Sequence, residues 1–170
     1  MASDSATENG LKAVETLRAF LTKMQLNPQE EAFPQGKAFT VELEGPTEEC
    51  VTQIMVEKER FIAHFNFKGI VPEELRMKVS EFITRANYGL IIGNFELNIG
   101  TGKLRYKSSI DFSSAELAEP LIRNAMLSSM DNIEVFAGAL GDLLDGDMEP
   151  EEAYQAARDN LASTPRNDFD

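Results

Sequence analysis

The chain has 170 residues, 42% of them hydrophobic, which suits one globular domain with a core of its own. A formal net charge of −13 at pH 7 makes nucleic acid and anionic membrane surfaces poor partners, because binding them requires clustered Lys and Arg. No run of about 18 apolar residues is present, and the polar N-terminus lacks the features of a secretory signal, so we expect no membrane span and no secretion. Cys50 is the single cysteine, and a chain without a partner cysteine is typical of the reducing cytoplasm.

The first half of the chain predicts one helix followed by three antiparallel strands, from apolar residues at helical spacing and then in alternation. With Lys58 and Glu59 as a turn, the second and third strands pair Val56 with Phe61, which places the apolar side chains of both strands on one face. The predicted elements are a disordered lead-in at residues 1–8, a helix at 9–26, and strands at 38–44, 50–56 and 60–67.

The clearest pattern in the sequence is a β-hairpin between residues 91 and 112. Apolar and polar residues alternate on both sides of a Gly-Thr-Gly turn. A two-residue loop at Thr101 and Gly102 pairs Leu97 with Tyr106 and keeps the apolar side chains on one face. The same register places Ile99 opposite Leu104 and Glu96 opposite Lys107.

Helices are predicted on both sides of this hairpin. Pro72 suits the first turn of the helix that precedes it. After the hairpin, Ser113 and Glu116 have the spacing of a capping box, but Pro120 is poorly tolerated deep in a helix, so we expect the long helix to begin, or to kink, near Glu119. The long helix is predicted to end at Gly146, a last helix to run from Pro150 to about Leu161, and residues 162–170 to form a flexible acidic tail.

Together these elements predict a single α+β domain over residues 9–161. The expected architecture is a five-stranded antiparallel sheet with flanking helices, in the order α-β-β-β-α-β-β-α-α.

The best candidate for catalysis is a nucleophilic Cys–His pair, since the chain has one residue of each type. The predicted strand register separates them, because Cys50 lies on the apolar side of its strand while His64 lies on the opposite side, about 10 Å away along the strands. Residues 100–103 predict a hairpin turn and not a phosphate loop, since Leu97 and Leu104 occupy the positions that such a loop reserves for Gly and for Ser or Thr. We therefore predict no catalytic residues, no cofactor and no metal site.

Four short motifs between about residues 60 and 157 resemble the YbjN family of small bacterial domains, which are described as sensory transduction regulators. They are Asn87 at a helix end, the Gly-Asn-Phe-Glu-Leu segment at 93–97, the Gly-Lys-Leu-Arg-Tyr segment at 102–106, and Pro-Glu-Glu-Ala at 150–153. The resemblance implies a fold similar to type III secretion chaperones, with a curved antiparallel sheet and frequent dimerisation. By analogy of fold it also implies binding of peptides or proteins without catalysis.

We expect a cytoplasmic, non-enzymatic protein that binds another polypeptide as a chaperone-like or regulatory adaptor, either on apolar surface between sheet and helices or at a sheet edge. The alternatives are a structural or sensor homodimer without a peptide groove, and an enzyme with an unrecognised site. The apolar stripe of the long helix, over residues 122–144, is broader than one sheet contact requires, which predicts a homodimer. The candidate interaction residues on this helix are Leu127, Met130, Val135 and Leu144.

Overall fold

Four α-helices and six β-strands make up the part of the chain that the computed structural model describes, residues 5–43 and 50–163. All six strands join one antiparallel sheet in the order β1-β2-β3-β4-β6-β5, which confirms the α+β class. In chain order the elements are α1 (Glu8–Lys23), β1 (Gln29–Phe33), β2 (Gly36–Val41), β3 (Cys50–Glu57), β4 (Arg60–Phe67), a 3-10 turn (Glu73–Leu75), α2 (Arg76–Gly89), β5 (Asn94–Leu97), β6 (Leu104–Asp111), α3 (Glu119–Asp145) and α4 (Pro150–Ser163).

The prediction of five strands is wrong, because β1 forms a sixth strand at one edge of the sheet. It pairs with β2 alone, and Phe33 faces Gly36 across a turn at Pro34 and Gln35. Four of its five residues are exposed, so the strand lacks the alternation of apolar and polar residues that marks a half-buried strand. The strand predicted over residues 38–44 is β2, which begins earlier, at Gly36, while residue 44 lies outside the described residues.

The N-terminal helix begins at Glu8, one residue before the predicted start. Thr7 caps it, since its side-chain oxygen accepts the N–H of Gly10 at 3.0 Å. Residues 1–4 of the predicted lead-in lie outside the described residues, and Ala6 donates its N–H to the carbonyl oxygen of Pro34 at 3.1 Å. At the other end, α4 continues to Ser163, and residues 164–170 of the predicted tail lie outside the described residues.

The β3–β4 hairpin has the predicted register, with Val56 opposite Phe61 and a two-residue turn at Lys58 and Glu59. Lys58 adopts a left-handed backbone conformation, with a φ of 52°. Its N–H donates to the carbonyl oxygen of Gln35 at 2.7 Å, which ties this turn to the turn between β1 and β2.

The β5–β6 hairpin keeps the predicted faces but not the predicted register. Leu97 pairs with Leu104, not with Tyr106, and Glu96 faces Arg105, not Lys107. The two-residue loop is wrong because Asn98 closes a longer loop. Its N–H donates to the carbonyl oxygen of Lys103 at 2.9 Å, and its own carbonyl oxygen accepts the N–H groups of Thr101 and Gly102. Ile99 therefore lies in the loop and is exposed, and does not face Leu104.

The long helix α3 begins at Glu119 and stops at Gly146, as predicted, and Gly146 adopts a φ of 85° that favours glycine. The capping box is wrong, since Ser113 donates both its N–H and its hydroxyl to the carboxylate of Asp111, at 2.9 and 2.6 Å, before the helix begins. None of the helices in the described part of the chain is both long enough and apolar enough to cross a membrane.

The helices lie on one side of the sheet, and the core lies between them and the strands. The guanidinium of Arg18 on α1 sits 5.7 Å from the ring centre of Phe39 on β2. On α3, the ring of Phe136 packs edge-on against Phe82 of α2 and Phe95 of β5. The largest fully buried side chains on the strands of this covered face are Phe39, Ile54, Val56, Phe61, Phe65 and Tyr106.

Candidate functional site

The face of the sheet that points away from the helices is the candidate functional site, and we call it the open face. The strand registers place Ala38, Met55 and Ile62 side by side on it, one each on β2, β3 and β4. Ala38 is buried, with 5% of its surface exposed, whereas Met55 and Ile62 are half-buried, and none of the three packs within the main hydrophobic cluster. Because neighbouring strands lie about 4.8 Å apart, these side chains form an apolar centre about 10 Å across.

Further apolar and polar side chains surround this centre. Val51, on β3, is 37% exposed, and Phe33 is half-buried on β1 at the corner of the open face. The next row of the sheet crosses Thr40, Gln53 and His64, whose side chains can form hydrogen bonds. An apolar centre with a polar surround is typical of protein interaction surfaces.

An ionic cluster lies on the same face at the β5–β6 end. The Glu96 carboxylate accepts hydrogen bonds from the Arg105 guanidinium at 2.6 and 2.7 Å and from the Lys107 ammonium. Burial alone would raise the pKa of Glu96, but the hydrogen bonds from Lys107, Arg105 and Asn94 outweigh it and lower this pKa to about 2. The carboxylate is therefore ionised at pH 7 and neutralises one of its two basic neighbours.

His64 lies between Gln53 of β3 and Lys107 of β6. Burial lowers its pKa to about 4, with a further contribution from the positive charge of Arg105, so the imidazole is neutral at pH 7. Cys50 is buried and lies on the covered face, as the predicted register requires. The two residues point to opposite sides of the sheet, and so they do not form a nucleophile–base pair.

Within residues 5–43 and 50–163, no three His, Cys, Asp or Glu side chains are grouped so that they could hold a metal ion. On the open face, the Glu96 carboxylate is already bound to two cations of the same sheet, Arg105 and Lys107. Besides apolar contact and hydrogen bonds, the open face offers charged side chains at Glu31, Glu57, Arg60 and Asp111.

The four candidate residues of α3 do not form one exposed strip. Leu127 is 44% exposed, whereas Met130, Val135 and Leu144 are half-buried and pack against the core. The apolar stripe of α3 is broad because the helix contacts several neighbours at once: strand β6 of the sheet and the helices α1, α2 and α4.

Asn87, which belongs to the motif at the end of α2, has a structural role that spacing alone does not reveal. Its side-chain oxygen accepts the N–H of Phe95 at 2.8 Å, and its amide donates to the carbonyl oxygen of the same residue at 3.0 Å. These are the backbone groups that edge strand β5 turns away from β6. Asn87 therefore occupies the position where an added strand would form its hydrogen bonds.

The opposite edge of the sheet is protected by charge. Strand β1 carries Glu30 and Glu31, and acidic side chains on an edge strand disfavour pairing with another chain. Arg18 of α1 binds the Glu30 carboxylate through two hydrogen bonds of 2.9 and 3.0 Å, and Lys37 of β2 binds it at 2.9 Å. Hydrogen bonds from Arg18 and then from Lys37 lower the pKa of Glu30 to about 2, so this carboxylate stays ionised at pH 7.

No known protein family matches the chain, and no curated protein is significantly similar to it. The resemblance to the YbjN family therefore stays a prediction that rests on its four short motifs.

Proposed function

We propose that the protein binds a segment of another polypeptide on the open face and catalyses no reaction. It would act as a chaperone-like or regulatory adaptor of the YbjN type, with a fold similar to type III secretion chaperones. The observation that carries the proposal is the apolar centre of Ala38, Met55 and Ile62, which lies on the face of the sheet opposite to the one against which the helices pack.

The sheet edges support docking on the face over addition of a strand. Asn87 binds the outward groups of β5 at Phe95, and β1 carries the exposed Glu31 beside Glu30, which Arg18 and Lys37 already bind. A polypeptide that adds a strand at β5 would have to displace the Asn87 side chain, and one that adds a strand at β1 would have to approach an acidic side chain. Of these groups, only the Glu31 carboxylate borders the open face, next to Ala38 on its β1 side.

The chemistry of the open face indicates which kind of polypeptide segment it would bind. An apolar centre about 10 Å wide matches the diameter of one α-helix, so an amphipathic helix or a short apolar stretch fits it. Met55 at this centre has a flexible, polarisable side chain that adapts to different partners. Thr40, Gln53 and the neutral His64 offer hydrogen bonds to the polar side of such a segment.

The proposal places the protein in the cytoplasm, as the single cysteine favours.

The proposal is tested by capture from an extract of the native host with matched variants. Met55→Glu puts a charge at the apolar centre, and Leu127→Glu puts the same charge at an exposed position on α3. We expect the wild type and Leu127→Glu to retain one and the same polypeptide, and Met55→Glu to retain at least tenfold less of it. Unchanged capture by Met55→Glu, with a circular dichroism spectrum like that of the wild type, would show that the open face is not the binding site.

A structural or sensor homodimer without a peptide site is the second candidate. It is favoured by a separate set of exposed apolar side chains, located between residues 70 and 99. If the Met55→Glu, Leu127→Glu and wild-type proteins all retain nothing while the wild type is dimeric, this second candidate replaces the first.

A further inference from the structure

The charged side chains of the open face are separated by sign on the two sides of its apolar centre. Cations lie together where β4 and β6 approach the β5–β6 loop, and we call this group the basic corner. Side chains at alternate positions of a strand point to the same face of the sheet. The basic corner comprises Arg105 and Lys107 of β6 and two exposed residues that continue the alternation just beyond the strands, Lys103 before β6 and Lys68 after β4.

The basic corner keeps an excess of positive charge although it contains Glu96. The Glu96 carboxylate binds both Arg105, at 2.6 Å, and Lys107, so two cations share one negative charge. The side chains of Arg105 and Lys107 are still 39% and 31% exposed. In a chain with a net charge of −13, this corner is therefore a local reversal of sign beside an apolar surface.

Acidic side chains lie on the other side of the apolar centre. Glu57 and Asp111 are at the end of the face near the β3–β4 turn, with Arg60 between them. Glu31 lies next to Ala38 on β1. The positive charge of Arg60 balances only one of these three carboxylates, so the group is negative at pH 7. We call Glu31, Glu57 and Asp111 the acidic border.

The distance between the two charged groups corresponds to the length of a short helix. The strand registers pair Glu57 with Arg60 and Asn66 with Arg105, so Arg105 lies two strands and six residues away from Glu57. At about 4.8 Å per strand and about 3.4 Å per residue, this separation is about 22 Å. The line between the two crosses β4 beside Ile62, at the apolar centre. An α-helix of that length has about 15 residues.

We propose that the segment bound on the open face is an amphipathic helix of about 15 residues with acidic side chains at one end, basic side chains at the other and apolar side chains between them. This inference rests on the proposed function and adds the charge order of the partner. The acidic end lies on the basic corner, the apolar side chains contact Met55 and Ile62, and the basic end lies at the acidic border. The two charged ends fix one orientation, because the reversed helix would place like charges together.

Nucleic acid fits this face less well than such a helix does. A nucleic acid carries negative charge along its whole length, so one that crossed the open face from the basic corner would also meet the acidic border. A helical peptide can carry both signs in the order that the face requires.

Synthetic helical peptides of about 15 residues, labelled with a fluorophore, test the charge order by anisotropy. The ordered peptide has Glu at its N-terminal end, apolar residues on one side and Lys at its C-terminal end, and the alternating peptide has the same composition with Glu and Lys interspersed. We expect the wild type to bind the ordered peptide about tenfold more tightly than the alternating one. Lys103→Glu should remove this preference, and Lys12→Glu, at an exposed position on α1, should retain it. Met55→Glu should bind neither peptide.

The results that would overturn the inference separate it from the proposed function. Equal affinities for the two peptides, or an unchanged preference in Lys103→Glu, would show that the face does not read charge order. A third peptide with Gln at every charged position that binds more tightly than the ordered one, and that Met55→Glu no longer binds, would overturn the charge order and leave the proposed function standing.

Two further results would also overturn the inference. One is failure of all three peptides to bind at about 1 mM, in which case capture from the host extract still decides the proposed function separately. The other is a wild type of twice the chain mass of 18.9 kDa in sedimentation equilibrium that Met55→Glu converts to the single mass, since a second copy of the chain would then occupy the open face.

Discussion

The two faces of the sheet are built from the same strands but differ in burial and in side-chain chemistry. On β4, Phe65 is fully buried beneath the helices, while its neighbour His64 is half-buried on the open face. The covered face is almost wholly apolar, whereas the open face combines Met55 and Ile62 with hydrogen-bonding and charged groups. The covered face therefore provides most of the stability of the fold, and the open face is where we propose that a partner binds.

The largest expected difference between the faces is in stability. Phe65→Ala removes a fully buried ring that packs against Tyr106, and we expect it to lower the free energy of unfolding by about 3–5 kcal/mol. Ile62→Ala, on the open face, should cost about 1 kcal/mol because its side chain already contacts water. Urea unfolding of both variants measures these losses. Equal losses would show that the open face is part of the core.

A smaller effect is expected from the ionic cluster of the open face. Glu96→Gln removes the charge that Arg105 and Lys107 share, which should lower the free energy of unfolding at pH 7 by about 1 kcal/mol. Because folding lowers the pKa of Glu96 from 4.5 to about 2, its stabilising contribution is present above pH 4.5 and is lost as the pH falls toward 2. The difference in the free energy of unfolding between wild type and variant, measured with urea, should thus shrink from about pH 5 to about pH 2, where this titration begins and ends. A constant difference, or the same loss in Glu134→Gln on α3, would contradict this role.

The smallest effect is expected from His64, and it is detected only in the pH dependence of the free energy of unfolding. Folding lowers the pKa of this imidazole from 6.5 to about 4, so the unfolded chain binds a proton in this range before the folded chain does. The free energy of unfolding of the wild type should fall as the pH drops from 6.5 to 4, and His64→Asn should lack this part of the fall. Identical pH profiles for the two proteins, measured by urea unfolding, would place His64 in contact with solvent.

The two predicted hairpins show how far the sequence defines strand register. In β3–β4 the alternation ends at the turn, and so pairing Val56 with Phe61 was correct. In β5–β6 the alternation continues through Ile99 into the loop, and the side-chain and backbone groups of Asn98 close the loop before the pattern ends. Alternation therefore fixes which side chains share a face, and local hydrogen bonds in the turn decide the register.

The features that sequence reasoning missed depend on neighbours that are distant in the chain. Strand β1 is exposed on both sides, so only its pairing with β2 identifies it. The open face could have been found from Val51, Met55 and Ile62, which are apolar at positions where alternation expects polar residues. The apolar breadth of α3 could not be assigned in advance, because it depends on α4 packing against that helix.

The central claim is that a polypeptide lies on the open face, and site-specific photo-crosslinking in cells of the native host tests it most directly. A photoreactive amino acid at Ile62 would sit at the apolar centre, and the same group at Leu121 would sit on an exposed part of α3 as the control. We predict a covalent adduct with a polypeptide other than a second copy of this chain at Ile62, and none at Leu121. No adduct at Ile62, or the same adducts at both positions, would contradict the account.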